Sequence, residues 1–484
     1  MLSERREDES KSFLKAVQPL AETGLCETGH ECYRFGPWTL NPASMQLMRD
    51  GVAVALTPKA YDTLLLLLRH RDRVLTISEL VNTIWPGVFV EKANVHQTIS
   101  VLRKTLGARD RKSLIATIPR RGYRFAGDVE LIAHDSRAAA CAPEHKFRPT
   151  AYSSEAIEYY AKGLHCFERW SGASSKADTV NAIALFREAV RIEPKWALPR
   201  AQLAYAHTVM AMFFEPGRQW AESATTLLCD ARGLDQRVAD VHVVRSEMLW
   251  SPIEGFQIEA AVRELKQGQS LNPYVGQAQL GILCAHQGFE EPALERLERA
   301  IKIEPASIVN QSRLAEAFIW LGKPKEAVNR YNRLIDLDPH NPGHHVFSAI
   351  ACVCAGDLPE ARRRNDRALV LKPSDAIALS TQALLQALDG DIESAEQQVR
   401  NLANCWRAMR SGHHVTQNIA CIQALQGKCD SAVEWLRNTI RMGMCNYRMI
   451  GEDNNLERVR RSSAYSEFMT ETRLRSRSLL TVFR

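Results

Sequence analysis

The chain has 484 residues, 45% of them hydrophobic and 24% charged, and a net charge of +6. That balance excludes a disordered or collagen-like chain, and the length corresponds to about three domains, or fewer where part of it is a repeat array. No apolar stretch reaches the roughly 18 residues of a membrane span; the leucine run from Leu64 to Leu68 is closed by Arg69. The N-terminus, MLSERREDES, carries Glu4, Glu7, Asp8 and Glu9 where a secretory signal needs a basic start and an apolar core. A cytoplasmic location without a membrane partner is therefore expected. The twelve cysteines are scattered and include no Cys-x2-Cys pair. They are expected to be reduced and to act as small buried hydrophobes.

Basicity is concentrated in one segment. Residues 33–130 hold fifteen Lys/Arg against eight Asp/Glu, whereas residues 1–32 hold four against seven. The acidic stretch, 1–32, is expected to be a poorly ordered extension. Residues 33–56, YRFGPWTLNPASMQLMRDGVAVAL, have short apolar runs broken at Gly36-Pro37, Asn41-Pro42 and Asp50-Gly51. Asp50-Gly51 is a hairpin signal, since both turn residues need positive φ. Thr57-Pro58 supplies an N-cap and a first-turn proline to a helix with Tyr61, Leu64, Leu65 and Leu68 at helical spacing. A second helix starts at Thr76, where Glu79 completes a capping box, and runs to about Trp85 before Pro86-Gly87 breaks it.

A third helix is expected from about Lys92 to Leu106, stopped by Gly107. Val95, Ile99, Leu102 and Leu106 form its buried stripe. The opposite face offers Asn94, Gln97, Ser100, Val101 and Lys104. In a major groove, Asn and Gln can pair with adenine and Val can meet a thymine methyl. Thr98, Ser100, Arg103 and Lys104 suit phosphate contacts, which position without specifying. Residues 115–125, IATIPRRGYRF, read as two strands around an Arg120-Arg121-Gly122 tip, a basic wing able to reach the adjacent minor groove. From Asn94 to Arg124 eight basic residues stand against one acid, Asp110, a field that suits nucleic acid.

LTPKAYDTLLLLL, ELVNTIWPGVFVEKANVHQTISVLRKTLG and IATIPRRGYRF together resemble the OmpR/PhoB-type winged-helix DNA-binding domain. The Pro-Arg-x-Gly-Tyr wing resembles the branch that includes the CadC and HilA-type regulators. The resemblance spans about residues 33–130. It implies a third helix in the major groove and a wing at the minor groove. It also implies a loop facing RNA polymerase, from Pro86 through Gly87, Val88, Phe89 and Val90 to Glu91. The sequence departs from the response-regulator branch at Val101, where a base-reading arginine would fall, and at Pro119, where the wing arginine would fall beside Arg120. The resemblance thus implies the docking mode and not the base sequence read.

Residues 131–153 read as a linker. Beyond it, Pro273, Pro305, Pro339 and Pro373 recur at intervals of 32, 34 and 34. Gly288, Gly322 and Gly356 precede the last three by seventeen residues, and Ala293, Ala327 and Ala361 precede them by twelve. This frame resembles the tetratricopeptide repeat: two antiparallel helices, small residues where they cross, and a proline after the second. Ala182, Ala189 and Pro194 fit it upstream, and Gly390/Ala395 and Gly427/Ala432 continue it without the proline. About eight repeats are expected over 154–442, then a capping helix from Asn455 to Met469 and a tail within 443–484. His344-His345 and His413-His414 sit near the starts of first helices and are expected to be exposed turn histidines.

No nucleotide-loop, dinucleotide, zinc-protease or nucleophile-elbow signature occurs, and repeats fill the chain after the winged helix. No catalytic residue, cofactor or metal is therefore expected. The expected fold class is mainly α: an N-terminal α+β winged helix-turn-helix, then an α-solenoid of about eight tetratricopeptide repeats. The expected function is a sequence-specific DNA-binding transcriptional regulator, an activator. Its expected partners are double-stranded promoter DNA, RNA polymerase, and an unknown protein, peptide or second copy at the repeats. The alternative is a repeat scaffold whose winged helix makes protein contacts.

Overall fold

The computed structural model describes residues 31–41, 46–50, 52–54, 56, 58–84, 92–107, 114–119, 121–133, 152–168, 176–215, 217–304, 307–402 and 406–483. The N-terminal part runs β1 (Glu31–Phe35), β2 (Trp38–Asn41), β3 (Gln46–Arg49), β4 (Val52–Val54), α1 (Pro58–Arg69), α2 (Ile77–Ile84), α3 (Lys92–Thr105), β5 (Ile115–Ile118), β6 (Gly122–Phe125) and β7 (Glu130–Ala133). An antiparallel sheet has the order β4-β3-β2-β1-β7, and β5 and β6 pair separately as the wing. Asp50 takes φ 50°, as the β3–β4 hairpin requires. Tyr33, Phe35, Trp38, Leu40 and Leu47 alternate along their strands and are all buried against the helices. The expected linker in fact begins with a strand: Leu131 and Ile132 pair with Tyr33 and Cys32, and β1 already starts at Glu31. This pairing covers the edge that β1 would otherwise leave open.

The helices follow their local signals. The Thr76–Glu79 capping box is formed reciprocally, with Thr76 N donating to Glu79 Oε2 at 2.8 Å and Glu79 N donating to Thr76 Oγ1 at 3.1 Å. Gly107, at φ 75°, follows α3 in the left-handed conformation that ends helices. Leu64, Leu67, Leu68, Leu80, Val95, Ile99 and Leu102 are buried in one core with Ile115 and Phe125.

The rest is a series of antiparallel helix pairs, eight among the described residues. They are α4 (Ser154–Glu168) with α5 (Lys176–Ile192), α6 (Ala197–Val209) with α7 (Arg218–Leu234), α8 (Ala239–Leu249) with α9 (Ile258–Leu271), and α10 (Gln277–His286) with α11 (Glu290–Ile303). Then come α12 (Ile308–Trp320) with α13 (Pro324–Leu337), α14 (Pro342–Ala355) with α15 (Leu358–Leu371), α16 (Ala376–Leu388) with α17 (Ile392–Leu402), and α18 (Gly412–Leu425) with α19 (Cys429–Arg441). The glycine of the frame ends each later first helix: Gly288, Gly322, Gly356, Gly390 and Gly427 all have φ between 73° and 86°. Ala293, Ala327, Ala361, Ala395 and Ala432 are fully buried. A side chain without rotamers lets the paired helices approach closely at no entropic cost.

The C-terminal segment departs from the expected cap. After α20 (Tyr447–Glu452) and a 3₁₀ turn at Asn454–Val459, α21 spans Ser463–Phe483. It packs on α19 and also on α9, and Phe483 meets Phe289 edge-on at 5.3 Å. Nearby, Asn446 Nδ2 donates to the Trp320 carbonyl at 2.7 Å, and Gln287 Nε2 donates to the Gly443 carbonyl at 2.7 Å. The eighth pair and its extension therefore return to the third, fourth and fifth pairs, and one apolar cluster runs from Leu249 to Phe483.

This closure corrects the histidine expectation. His344, His345, His413 and His414 are all buried: His413 and His414 meet His286 and Trp320 of earlier first helices, while His344 lies against Tyr331 of α13 and His345 Nε2 is bonded to the Pro339 carbonyl. Cys284, Cys352, Cys421 and Cys445 are buried as expected, but Cys229 and Cys354 are exposed.

Candidate nucleic-acid interface

Helix α3 turns Val95, Ile99, Leu102 and Leu106 inward, so its other side is fixed by geometry. Gln97, Ser100 and Lys104 are exposed there, and Val101 is partly exposed. Asn94 lies on α3, but its side chain falls outside the described residues. Thr98 is corrected: it is buried, because a residue three after Val95 and four before Leu102 shares their stripe. Arg103 is corrected as well. Its guanidinium is turned to the wing, where it donates to the Ile115 carbonyl and to Thr117 Oγ1.

The wing is anchored to the body of the domain. Tyr123 and Leu75 exchange backbone bonds of 2.9 and 2.8 Å, and the Tyr123 hydroxyl is bonded to His96 Nδ1 of α3. Tyr123 and Phe125 point inward while Arg124 alternates outward, as strand periodicity requires. Arg121 at the tip is exposed. Arg120 and the loop Gly87, Val88, Phe89, Val90 and Glu91 lie outside the described residues. Two residues of this surface were missed as site residues: His96, adjacent to Gln97, and Arg124, whose outward position the alternation of β6 discloses. Among the described residues, α3 and the two wing strands contain no acid. Lys104, Arg121 and Arg124 therefore give the surface one sign of charge, and Gln97 and Ser100 give it neutral hydrogen-bonding groups.

Such a domain, with its helix and wing side by side and helical repeats following it along the chain, defines a two-part class: a winged helix-turn-helix fused to a repeat array. More narrowly, the chain carries an OmpR/PhoB-type domain: residues 51–125 match the family of the transcriptional regulatory protein, C terminal. It is 38% identical over 94 residues to the transcriptional activator CadC of Escherichia coli (strain K12), covering 19% of this chain and 18% of CadC. Over 114 residues it is 34% identical to the phosphate regulon transcriptional regulatory protein PhoB of Pseudomonas aeruginosa, covering 23% of this chain and 48% of PhoB. The chain thus spans less than half the length of these curated relatives. Among solved structures, the DNA-binding domain of E. coli CadC is 33% identical, covering 22% of this chain and all of that one, with a TM-score of 0.20. A tetratricopeptide repeat protein from Parabacteroides merdae is 15% identical, covering 63% and 99%, with a TM-score of 0.28. Among the described residues, no helix is long and apolar enough to cross a membrane.

Proposed function

We propose that this protein is a sequence-specific DNA-binding transcriptional regulator. One observation carries the reading: the exposed side of α3, with Gln97, Ser100 and Lys104, lies beside a wing bearing Arg121 and Arg124, with no acid on either. In this reading α3 enters the major groove. Gln97, with Asn94 and Val101, meets base edges, and Ser100 and Lys104 meet phosphates. The Arg120–Arg121 tip reaches the adjacent minor groove. The loop Gly87 to Glu91 touches RNA polymerase, the regulator acts as an activator in the cytoplasm, and the outer face of the repeats receives a protein partner or a second copy. The match to a relative named an activator and the array's helical surfaces support these finer assignments.

The test is recovery of genomic fragments bound to the protein, followed by gel shifts over a salt series. The reading expects a small set of enriched fragments and an affinity that falls log-linearly with salt, by about 0.9 per phosphate neutralised. Equal retention of all fragments, or retention of none, removes it.

A further inference from the structure

The buried histidines form a cluster in the closed interior of the array. His286 ends α10, and His413 and His414 lie in the first turn of α18. The three rings are almost fully buried, and one nitrogen from each lies within 4.8 Å of the others. His286 Nε2 is 3.1 Å from His413 Nε2. Glu316 of α12 brings Oε1 to 3.5 Å from His286 Nε2 and 3.6 Å from His414 Nε2. Metal–nitrogen bonds of about 2.05 Å arranged tetrahedrally give ligand–ligand edges of about 3.3 Å. The His286–His413, His286–Glu316 and His414–Glu316 separations are already near that edge, and the three histidine nitrogens, which lie within 4.8 Å of one another, would draw closer around an ion.

The surroundings have the other attributes of a ligand shell. His286 Nδ1 is bonded to the Ile282 carbonyl at 2.8 Å, so its proton resides there and Nε2 keeps its lone pair toward the cluster. Trp320 stacks on His414 at 4.9 Å and 13°, Phe347 meets it edge-on at 5.4 Å, and Trp250 stacks on His413 at 6.3 Å. These walls fix the ring planes. Glu316 supplies the negative charge. Among the described residues no lysine or arginine is ion-paired with it, whereas the neighbouring Glu247 is held by Arg313 and Arg410.

We propose that His286, His413, His414 and Glu316 bind one divalent first-row transition-metal ion of the zinc type, clamping together the first helices of the fourth, fifth and eighth pairs. Imidazole with one carboxylate selects this class over magnesium or calcium, which take oxygen ligands. The site stands independently of the DNA-binding reading.

The experiment uses the full chain, stripped with a chelator under mild denaturation and refolded with either Zn²⁺ or Co²⁺. The expected result is one ion per chain after gel filtration, a raised melting temperature, and a cobalt spectrum with visible ligand-field bands and no thiolate charge-transfer band. His286→Gln combined with His414→Gln is expected to lower retention at least tenfold. No retained ion in the unaltered protein, unchanged retention in the double variant, or a thiolate band overturns the proposal. Should the double variant fail to fold, the stoichiometry and cobalt spectrum of the unaltered chain decide the matter alone.

Discussion

The guanidinium of Arg103 grips the backbone carbonyl of Ile115 twice, from Nε at 3.1 Å and from Nη2 at 2.7 Å, and Nη2 also reaches Thr117 Oγ1 at 2.7 Å. The third helix and the wing are therefore one rigid unit, so two elements that address different grooves keep a fixed spacing. Hydrogen bonds from a charged donor are worth about 1.5–3 kcal/mol each where they are not solvent-screened, and this one is partly exposed. Arg103→Ala is expected to destabilise the domain by about 1–2 kcal/mol and to weaken binding to every DNA sequence. A thermal melt alongside a salt series checks it. An unchanged melt with a salt slope reduced by about one would return Arg103 to a phosphate contact.

Gln97 and Lys104 stand on the same exposed side of α3 but are assigned different work. Gln97→Ala is expected to cost about 1–3 kcal/mol on the specific site and little on random DNA, because a base contact is lost. Lys104→Ala is expected to weaken both alike and flatten the salt slope by about one unit. Competition gel shifts measure both. An unchanged specific-to-random ratio for the Gln97 variant would remove Gln97 from the base-reading set.

The start of α2 carries a pH signature. The backbone N–H of Thr76, and after it the Arg73 and Thr76 side chains, pull the Glu79 carboxyl down to about 2 from an ordinary value of 4.5. A carboxyl with a depressed folded value contributes its stability fully above the unfolded value and loses it as pH falls toward the folded one. Glu79→Gln is therefore expected to melt below the unaltered protein at pH 7, with the gap closing between about pH 4.5 and 2. Melting curves taken across that window would show it, and a gap that persists undiminished at pH 2 would contradict the assignment.

What the sequence disclosed was local. The β3–β4 hairpin at Asp50, the Thr76–Glu79 box, the Gly107 stop and the 34-residue frame each depend on a few neighbouring residues, and all are formed. On α3 the outward positions Gln97, Ser100 and Lys104 follow from helical phase alone. Thr98 was misplaced because the buried stripe is one residue wider than four apolar positions suggest. Arg103, expected at a phosphate, turns to the wing instead, since a long side chain chooses between phosphate and a carbonyl only once the wing is beside it. The β1–β7 pairing and the contact of His286 with His413, 127 residues apart, lay beyond any spacing rule. The second depends on rotation accumulated over four helix pairs.

The alanine of the repeat frame makes a quantitative claim about packing. Ala327 is fully buried on α13 among Ala315, Ile319 and Tyr331. Overpacking such a site forces neighbours off their rotamers, so Ala327→Leu is expected to cost about 1–3 kcal/mol. Val370, exposed on α15, is the control: Val370→Thr should stay within about 0.5 kcal/mol. Urea midpoints compare the two, and equal shifts would deny Ala327 its role as a crossing residue.

Gly122 opens the second wing strand at φ 142°, a conformation that side chains rarely adopt, and a Cβ there would overlap the Leu75 carbonyl. That carbonyl accepts from Tyr123 N at 2.9 Å, so the neighbour cannot withdraw without breaking the bridge that anchors the wing. Gly122→Ala therefore combines backbone strain with a backbone clash and is expected to cost about 3 kcal/mol or more. The loss should appear as a detached wing before it appears as global unfolding. Hydrogen exchange at Leu75 and Tyr123 would accelerate while the amides of α4 to α19 keep their protection. DNA affinity would fall together with the exchange protection of the wing. If the variant retained the Leu75–Tyr123 protection of the unaltered protein, the glycine would be dispensable and the anchoring of the wing would have to lie elsewhere, with the Arg103 grip on Ile115 as the remaining restraint.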